Sequence, residues 1–297
     1  MRLKDQNNIF TVDIGATNIR FAIVSGNKVD LINKFLTPKN KKLLLTEIMK
    51  NICDALAHQK INGLAISVAG PVKDRKAHLT NITKTEIDFS TLATKDLPLS
   101  VINDGAAAVW AEKEYGYGNG LNNIAYITIS SGIGGGVIIK GESLNFNFLN
   151  EEIGHQKVTD LYKIKCVCGQ SDHWESLASG LNISKFMARW SDINNFEFDQ
   201  KLYDDVYKIF RKAKSGDSLA NDFMEEIGRL NARGIDLVAK KYSPEAIVLG
   251  GAVALNNQGI ILSGIEKHRK SKVPIKFTNL GDEISLIGAA AYLKSRM

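Results

Sequence analysis

The chain has 297 residues, of which 44% are hydrophobic and 24% are charged. This balance predicts a folded protein large enough for two domains and excludes a disordered chain. The basic residues behind the net charge of +6 are dispersed, with Lys39-Asn40-Lys41-Lys42 as the densest patch, so no nucleic-acid partner is expected. The absence of a membrane-spanning apolar run and of a signal-peptide core favours a cytoplasmic protein with no membrane partner.

The first hundred residues are predicted to form three antiparallel strands followed by alternating helices and strands. A glycine turn at Gly15 separates the first two strands, which indicates a hairpin. Apolar residues at helical spacing predict the first helix. The predicted strands are 9–14, 19–24, 29–36, 63–69 and 99–102, and the predicted helices are 43–57 and 106–114.

The middle of the chain repeats this beginning. A strand at 124–129, a glycine turn at 132–136 and a strand at 136–139 again give strand, glycine turn and strand. Two halves built alike predict a duplicated domain with a nucleotide held between the copies. The remaining predicted elements are a long helix at 219–242, a strand at 246–249 and a final helix at 284–293.

Three short segments follow predicted strands and carry residues suited to phosphoryl transfer. They are Asp13-Ile14-Gly15-Ala16-Thr17-Asn18, Asn103-Asp104 and Ser131-Gly132-Ile133-Gly134-Gly135-Gly136. Glycine segments let backbone N–H groups approach phosphate oxygens, and acidic residues can hold Mg²⁺ or accept a hydroxyl proton. Each segment alone also fits an ordinary role, as a hairpin turn or, for Asp104, a helix N-cap. Together, in this order, they predict a nucleotide-dependent kinase.

Two other nucleotide-binding patterns are missing from the sequence. Neither the P-loop pattern, in which Gly-Lys-Ser/Thr follows a glycine after four residues, nor the dinucleotide fingerprint is present. The sequence therefore lacks the main motif that would support a P-loop kinase or a nicotinamide-dependent dehydrogenase.

The three segments resemble motifs of the ROK family of sugar kinases, within the actin/Hsp70/hexokinase superfamily. The first and third are similar to its two phosphate loops, with Ala16 in place of a glycine and Ser131 in place of a threonine. Gly250-Gly251 resembles its adenosine-side glycine pair. The resemblance implies an α/β fold of two duplicated actin-like (ribonuclease H-like) domains with a cleft between them, and implies ATP and Mg²⁺ as cofactors.

The resemblance also implies roles for individual residues. Asp104 would be the catalytic base, and Asp13 would hold Mg²⁺ directly or through water. Gly70, Asn81, Asn103, Asp104, Glu152, His155 and Glu175 are expected to bind the sugar, and Gly15, Ala16, Thr17, Asn18, Ser131, Gly132, Gly250 and Gly251 the nucleotide, together with Asp13.

The segment from Cys166 to Glu175 resembles the zinc loop of the family. The family pattern is Cys-x-Cys-Gly-x-x-Gly-Cys-x-Glu, whereas this chain has Asp172 for the second glycine and His173 for the third cysteine. Histidine is also a zinc ligand, so the resemblance implies a structural Cys₂His₂ site formed by His155, Cys166, Cys168 and His173. A metal-free loop with two free cysteines is the alternative.

The expected reaction is ATP-dependent phosphorylation of a sugar 6-hydroxyl. Glucose is the first expectation because Thr80-Asn81-Ile82-Thr83 resembles bacterial glucokinases, and an N-acetylhexosamine such as N-acetylmannosamine is the alternative. A helix-turn-helix repressor is not expected, because twelve residues precede Asp13. A non-catalytic sugar-binding regulator and a chaperone-like or actin-like ATPase are further alternatives.

The resemblance finally implies an organisation for the whole chain. A small domain is expected at 1–104, with the final helix at about 284–297 packed onto it. A large domain is expected at 105–283 and contains the zinc loop at 155–175. A homodimer is expected, because similar proteins are commonly dimers.

Overall fold

The computed structural model describes residues 8–79, 86–144 and 151–297 of the chain. Its first sheet has five strands in the order β3-β2-β1-β4-β8, with β1, β2 and β3 antiparallel and β4 and β8 parallel to β1 and to each other. The strands are β1 (Ile9–Ile14), β2 (Asn18–Ser25), β3 (Lys28–Leu36), β4 (Gly63–Val68) and β8 (Leu99–Asn103). A separate small sheet contains β5 (Val72–Lys73), β6 (Lys76–His78) and β7 (Glu86–Asp88).

The two faces of the first sheet are covered differently. One face presents large apolar side chains, among them Phe10, Leu64 and Leu99, to a core that includes α1 (Lys41–His58). The opposite face packs against α9 (Ile284–Lys294), and α9 in turn packs closely on α2 (Asp104–Tyr115). Both helices are rich in alanine, which allows this close approach.

The second sheet repeats the strand order of the first. Its order is β11-β10-β9-β12-β13, so in both sheets the third, second, first, fourth and fifth strands lie side by side. The strands are β9 (Ile124–Ile129), β10 (Ile133–Ile139), β11 (Glu142–Ser143), β12 (Ala246–Gly250) and β13 (Ile275–Phe277). The duplicated α/β fold is therefore confirmed.

The remaining helices lie between β11 and β13 in sequence. They are α3 (Trp174–Ala178), α4 (Ile183–Ile193), α5 (Val206–Lys214), α6 (Ser218–Tyr242), α7 (Ala252–Asn256) and α8 (Gln258–His268). The amphipathic α6 is held at its N-terminus by Asp217, whose side chain accepts the N–H of Ala220. Within the described residues, no helix combines the length and the hydropathy that crossing a membrane requires.

The chain forms two compact units. The first contains described residues within Met1–Leu121, Gly136–Asn147 and Asn279–Met297, and the second those within Asn122–Gly135 and Phe148–Thr278. The first unit contains both α2 and α9, which pack against each other.

The glycine run after β9 differs from its sequence prediction. A turn is predicted at 132–136, whereas β10 already begins at Ile133, and the chain reverses at Ser130–Gly132 with a bond from Ser130 N–H to the Gly132 carbonyl at 2.9 Å. Gly134, Gly135 and Gly136 are therefore strand residues. A strand without side chains at these positions permits close backbone approach, which composition alone does not distinguish from a turn.

Candidate active site

Asn103 is the N-cap of α2, and this fixes the position of Asp104. The Asn103 side-chain oxygen accepts the N–H of Gly105 at 2.9 Å and the N–H of Ala106 at 3.2 Å. Asp104 is therefore the first helical residue, two residues earlier than the predicted start of the helix. The capping role that Asp104 could have had belongs to Asn103, so the Asp104 carboxylate is not needed as the cap.

The Asp104 carboxyl has an environment suited to a base. Desolvation by the dense protein around the carboxyl, as the larger cause, and the nearby charge of Asp13 together raise its pKa to about 6. Its side chain nevertheless reaches solvent, and Oδ1 accepts the N–H of Gly105 at 2.8 Å. A carboxylate with this pKa is ionised at neutral pH and more basic than an ordinary aspartate.

The Asn103 amide also joins α2 to the turn that follows β4. Its Nδ2 donates to the carbonyl of Gly70 at 3.1 Å, so Gly70, Asn103 and Asp104 lie together in the first unit. With one N–H used in this way, the amide keeps a second N–H for a ligand hydroxyl. Asn81, the other predicted sugar-binding amide, lies outside the described residues.

The first glycine loop is closed by backbone bonds. Gly15 N–H donates to the Asn18 carbonyl at 3.0 Å. Thr37 fastens the loop from outside, because its hydroxyl donates to the Gly15 carbonyl at 2.7 Å and its N–H to the Thr17 carbonyl at 2.9 Å. The Thr17 side chain is exposed, as a phosphate-binding hydroxyl would have to be.

Lys39 is a residue of this loop region that sequence reasoning treated only as part of a basic patch. Its Nζ donates to the Ala16 carbonyl at 2.6 Å, which places a cation directly beside the predicted phosphate loop. The signal that could have found it was its position three residues after the third strand of the predicted meander.

Asp13 forms an ion pair with Arg20 across the β1–β2 hairpin. Arg20 Nη2 and Nε donate to Asp13 Oδ2 at 2.7 and 3.1 Å. Because both bonds reach Oδ2, Oδ1 is the oxygen that could accept a bond from a magnesium-bound water. Direct coordination by Oδ2 would compete with the guanidinium, so the residues fit Mg²⁺ bound through water.

The second glycine loop is held by the connection between α3 and α4. Gly180 N–H donates to the Ser130 carbonyl at 2.7 Å, and Leu181 N–H donates to the Ser131 carbonyl at 3.1 Å. The backbone of this reversal is thus bonded to the α3–α4 connection, while the Ser131 side chain is exposed.

Glu175 joins the second glycine loop to α3. Its Oε2 accepts the N–H of Ile133 at 3.0 Å, and a Cβ on Gly132 would lie 2.6 Å from that oxygen. Gly132 therefore makes room for the carboxylate. Burial raises the pKa of Glu175, and Oε1 is left as an acceptor for a ligand hydroxyl.

Trp174 fixes the helix that carries Glu175. Its indole Nε1 donates to Asn231 Oδ1 at 2.8 Å within the protein interior, and Trp174 is fully buried.

Glu152 is half-buried and immediately precedes the short 3₁₀ turn Ile153–His155.

The predicted zinc residues lie together in the second unit. His155 Nδ1 is 3.2 Å from Cys166 Sγ, and His173 Nδ1 is 3.2 Å from Cys168 Sγ. One ligand atom from each of the four residues lies within 4.8 Å of the other three. Tetrahedral zinc, with bonds of about 2.0–2.3 Å, separates its ligand atoms by about 3.3–3.8 Å, so the cluster fits this metal. Because Nδ1 of His155 faces the cluster, Nε2 remains for another partner.

Asp172, the residue that replaces a glycine of the family pattern, organises this loop. Its fully buried carboxylate accepts the backbone N–H groups of Tyr162, Lys163 and Ile164 at 3.2, 3.0 and 2.8 Å. Its φ of +57° lies in the left-handed region, which accounts for a glycine at this position in the pattern. In the sequence, Asp172 is only a residue that differs from the family pattern, whereas in the structure its carboxylate accepts three backbone N–H groups.

Gly250 is the last residue of β12, and Gly251 is the N-cap residue that precedes α7. Gly251 has a φ of +87°, and a Cβ there would lie 2.6 Å from the Ile129 carbonyl oxygen. Beside this turn is a cavity of about 290 Å³ between α5 and α7. Its lining includes Val206, Phe210, Val253 and Asn257, which the sequence analysis did not single out.

These features define an actin-like phosphotransfer fold with two glycine loops, a candidate base and a Cys/His cluster. The sequence profile of the ROK family matches residues 9–296, and the chain belongs to this family. A glucokinase of Aeropyrum pernix is 29% identical over 95% of both chains. An N-acetylmannosamine kinase of Yersinia pestis is 25% identical, covering 96% of this chain and 98% of its own.

A solved structure shares the fold. The ROK family glucokinase of Streptomyces griseus in complex with glucose and AMPPNP aligns with a TM-score of 0.73 and 24% identity. The alignment covers 97% of this chain and 99% of that protein. The two-domain actin-like fold and the family assignment of the sequence analysis are confirmed.

Proposed function

We propose that the protein is an ATP-dependent hexose kinase that phosphorylates the 6-hydroxyl of glucose. The observation that carries this proposal is Asp104, an accessible carboxylate on the first turn of α2 with its pKa raised to about 6. Membership of the ROK family supports the reaction class. Glucokinases and N-acetylmannosamine kinases among the relatives support a sugar as the acceptor.

In the proposed reaction, Asp104 accepts the proton of the sugar 6-hydroxyl. The hydroxyl oxygen then forms a bond to the γ-phosphorus of ATP, while the bond from that phosphorus to the bridging oxygen breaks and ADP leaves. Phosphoryl transfer depends mainly on positioning and on stabilising charge. The capped start of α2 supplies the positioning of the base.

The proposed sugar contacts come from polar groups with unused bonding capacity. Asn103 has one amide N–H left, Glu175 has Oε1, and His155 has Nε2. We also assign Gly70, Asn81 and Glu152 to the sugar on the basis of the family motifs. Carboxylates and amides that each bind a hydroxyl discriminate strongly against analogues lacking one, because the protein group is then left unpaired.

The proposed nucleotide contacts are the two glycine loops and the turn before α7. Backbone N–H groups of Ala16 and Gly132 and the hydroxyls of Thr17 and Ser131 would bind phosphate oxygens. Gly15, whose N–H already bonds the Asn18 carbonyl at the end of the loop, would let the backbone approach them closely. Gly250, Gly251 and the cavity of about 290 Å³ beside them would take the adenosine end. Mg²⁺, when bound, neutralises phosphate charge, and Asp13 would hold its water through Oδ1.

We further propose that His155, Cys166, Cys168 and His173 bind structural zinc. Four protein ligands leave no open position for catalysis, so the metal would hold the loop that leads into α3 and Glu175. Metal analysis of protein purified without chelator should give about one zinc per chain. His173→Cys, which restores the family residue, should keep the metal, and Cys168→Ser should lose it; absence of zinc from the unmodified protein would refute the site.

N-acetylmannosamine is the second candidate substrate, because kinases of that name cover nearly the whole chain at 25% identity. Domain boundaries at 104 and 283 and a homodimer remain proposals drawn from the resemblance, and a cytoplasmic location remains a proposal drawn from the sequence. Light scattering of the purified protein measures its oligomeric state directly.

The deciding experiment is a coupled ADP-release assay with Mg-ATP and a panel of sugars. The panel contains glucose, mannose, fructose, N-acetylglucosamine and N-acetylmannosamine. Turnover with glucose supports the proposal, and turnover confined to N-acetylmannosamine supports the second candidate. ADP release without any sugar indicates an ATPase instead. Folded protein that releases no ADP with any of the sugars contradicts the proposal of a hexose kinase.

A further inference from the structure

The last residue of the glycine run, Gly136, lies against the first turn of α2. Both belong to the first compact unit. A Cβ added at Gly136 would lie 2.3 Å from the Gly105 carbonyl oxygen and 2.8 Å from Ala106 Cα. These neighbours are backbone atoms, which cannot rotate away as a flexible side chain can. A side chain at position 136 therefore requires the start of α2 to move.

The turn that Gly136 contacts is the one that carries Asp104. Gly105 follows Asp104 directly and donates its N–H to Asp104 Oδ1 at 2.8 Å. The same N–H, with that of Ala106, is capped by Asn103. A shift of Gly105 and Ala106 would thus change the cap, the bond to the carboxylate and the position of the carboxylate itself.

The neighbouring glycines of the run have different surroundings. A Cβ on Gly134 would have Thr128 Cγ2 as its nearest neighbour, at 3.7 Å, which is an ordinary van der Waals contact. A Cβ on Gly135 would lie 2.1 Å from the Tyr126 carbonyl oxygen of β9. Lack of space at Gly134 therefore does not explain its glycine, whereas Gly135 serves packing on β9 and Gly136 serves packing on α2.

A second glycine contacts the same helix from another element. A Cβ on Gly288 of α9 would lie 1.6 Å from the Ala107 carbonyl oxygen. The backbone of α2 is thus contacted closely at Gly105, Ala106 and Ala107, by β10 and by α9. Close packing of backbone on backbone leaves little freedom for small displacements.

From this packing we propose that Gly136 is a positioning residue for Asp104, rather than a phosphate-binding residue. The inference rests on the proposed function, in which Asp104 is the base. It assigns the glycine run two separate tasks, with its beginning serving the nucleotide and its end the base. A displacement of about 1 Å of a catalytic group can lower the rate on the order of 100-fold.

The test compares Gly136→Ala with Gly134→Ala, two identical changes two residues apart on one strand. Gly136→Ala should lower kcat at least tenfold while changing KM for Mg-ATP and the dissociation constant for the sugar less than about threefold. Because Gly134 belongs to the segment that resembles the phosphate loop, Gly134→Ala is the control for the Asp104 titration, and any effect on turnover should appear in KM for Mg-ATP. Circular dichroism and thermal unfolding establish that both variants are folded.

A second readout does not need turnover. Carboxyl NMR of aspartate-labelled protein, with Asp104 assigned from an Asp104→Asn spectrum, gives the pKa of this group in each variant. The pKa and chemical shift of Asp104 should change in Gly136→Ala and stay unchanged in Gly134→Ala. If no sugar is phosphorylated by the unmodified protein, the proposed function fails, while this titration still tests the positioning.

Three results would overturn the inference. One is an unchanged kcat and an unchanged Asp104 titration in Gly136→Ala. Another is a raised KM for Mg-ATP with an unchanged kcat in Gly136→Ala, which would indicate that Gly136 contributes to phosphate binding. The third is a Gly136→Ala chain that does not fold, because this glycine would then be required by the fold and not by the base. In that case, an altered Asp104 titration in folded Gly288→Ala would show only that α9 positions the helix.

Discussion

Arg20 Nη2 donates to Asp13 Oδ2 at 2.7 Å, and the same guanidinium reaches the end of the chain. It donates to Ser285 Oγ at 3.1 Å and to the Asp282 carbonyl at 2.8 Å. Arg20 therefore ties the β1–β2 hairpin to the start of α9. Because the charge of Asp13 contributes to the raised pKa of Asp104, the partner of Asp13 also influences the base.

This relationship predicts the pH dependence of the reaction. In the unmodified enzyme, the acidic limb of the kcat–pH profile should lie near pH 6. Below that value, Asp104 is protonated and cannot act as the base. Arg20→Ala leaves the Asp13 charge without its partner, which raises the pKa of Asp104 further. The limb should therefore move to higher pH, as measured from kcat between pH 5 and 8.

Two controls separate charge from geometry in this experiment. Arg20→Lys keeps the positive charge, so its limb should stay close to that of the unmodified enzyme even if kcat falls. Asp13→Asn removes the repelling charge and should move any residual limb to lower pH. An Arg20→Ala limb that stays in place or moves down would contradict the electrostatic link between Asp13 and Asp104.

Asp104→Asn should separate catalysis from stability. The amide cannot accept the hydroxyl proton, so kcat should fall by about 10²–10⁴-fold, with the sugar still bound. The pKa of Asp104 is raised from 3.8 to about 6 in the folded protein, so ionisation there opposes folding. The folding stability that the protonated form provides is present below about pH 4 and is lost as the pH rises through about 6.

The Asp104→Asn variant should accordingly unfold at a higher temperature than the unmodified protein at pH 7.5. The difference should shrink as the pH is lowered towards 4. Asp30→Asn, at an exposed position of β3, is a matched control that should show no such dependence. A variant less stable than the unmodified protein at pH 7.5 would show that the charge of Asp104 does not oppose folding.

The hairpins, the buried strands and the long α6 could be predicted from the sequence, because each has an apolar pattern with a clear end. The start of α2 could not, since Asn103 and Asp104 are both good N-caps and only the bonds of Asn103 decide between them. The glycine run was predicted as a turn because composition does not show which glycines face a neighbouring backbone. Gly136 is such a residue, and its neighbour lies 31 positions earlier in the chain.

The candidate site was predicted mainly through its motifs, and its long-range contacts were not. The cluster of His155, Cys166, Cys168 and His173 was predicted from the resemblance to the zinc loop of the family. The bond from Ile133 N–H to Glu175 joins residues 42 positions apart, and no local pattern indicates it. Lys39 was missed for a different reason: its position after the third strand was visible in the sequence, but its bond to the Ala16 carbonyl was not.

Lys39→Ala should raise KM for Mg-ATP about three- to tenfold with little change in kcat. The ammonium beside the Ala16 carbonyl attracts phosphate oxygens, and an exposed charge of this kind is screened by salt. The effect should therefore diminish when the assay is repeated at high ionic strength. Lys42→Ala removes an exposed lysine three residues away and should leave KM unchanged; equal effects of both variants would indicate only general attraction by the basic patch.

Asp172→Gly isolates the contribution of the buried carboxylate to the Cys/His loop. Glycine accepts the backbone φ of +57°, so the change removes the three hydrogen bonds without adding backbone strain. Three backbone N–H groups then lose a charged acceptor, and the free energy of unfolding should fall by about 2 kcal/mol. Denaturant unfolding with a chelator present measures this loss for the metal-free protein.

The same variant shows whether the carboxylate assembles the loop before any metal binds. With the three bonds intact, the His155–Cys166 and His173–Cys168 pairs should stay together without metal, so chelator-treated protein should resist limited proteolysis between Tyr162 and His173. Chelator-treated Asp172→Gly should be cleaved there, and added zinc should restore its resistance. Asp172→Ala, which also strains the backbone, should be less stable than Asp172→Gly. Equal protease resistance of the unmodified protein and Asp172→Gly without metal would show that the loop does not depend on this carboxylate.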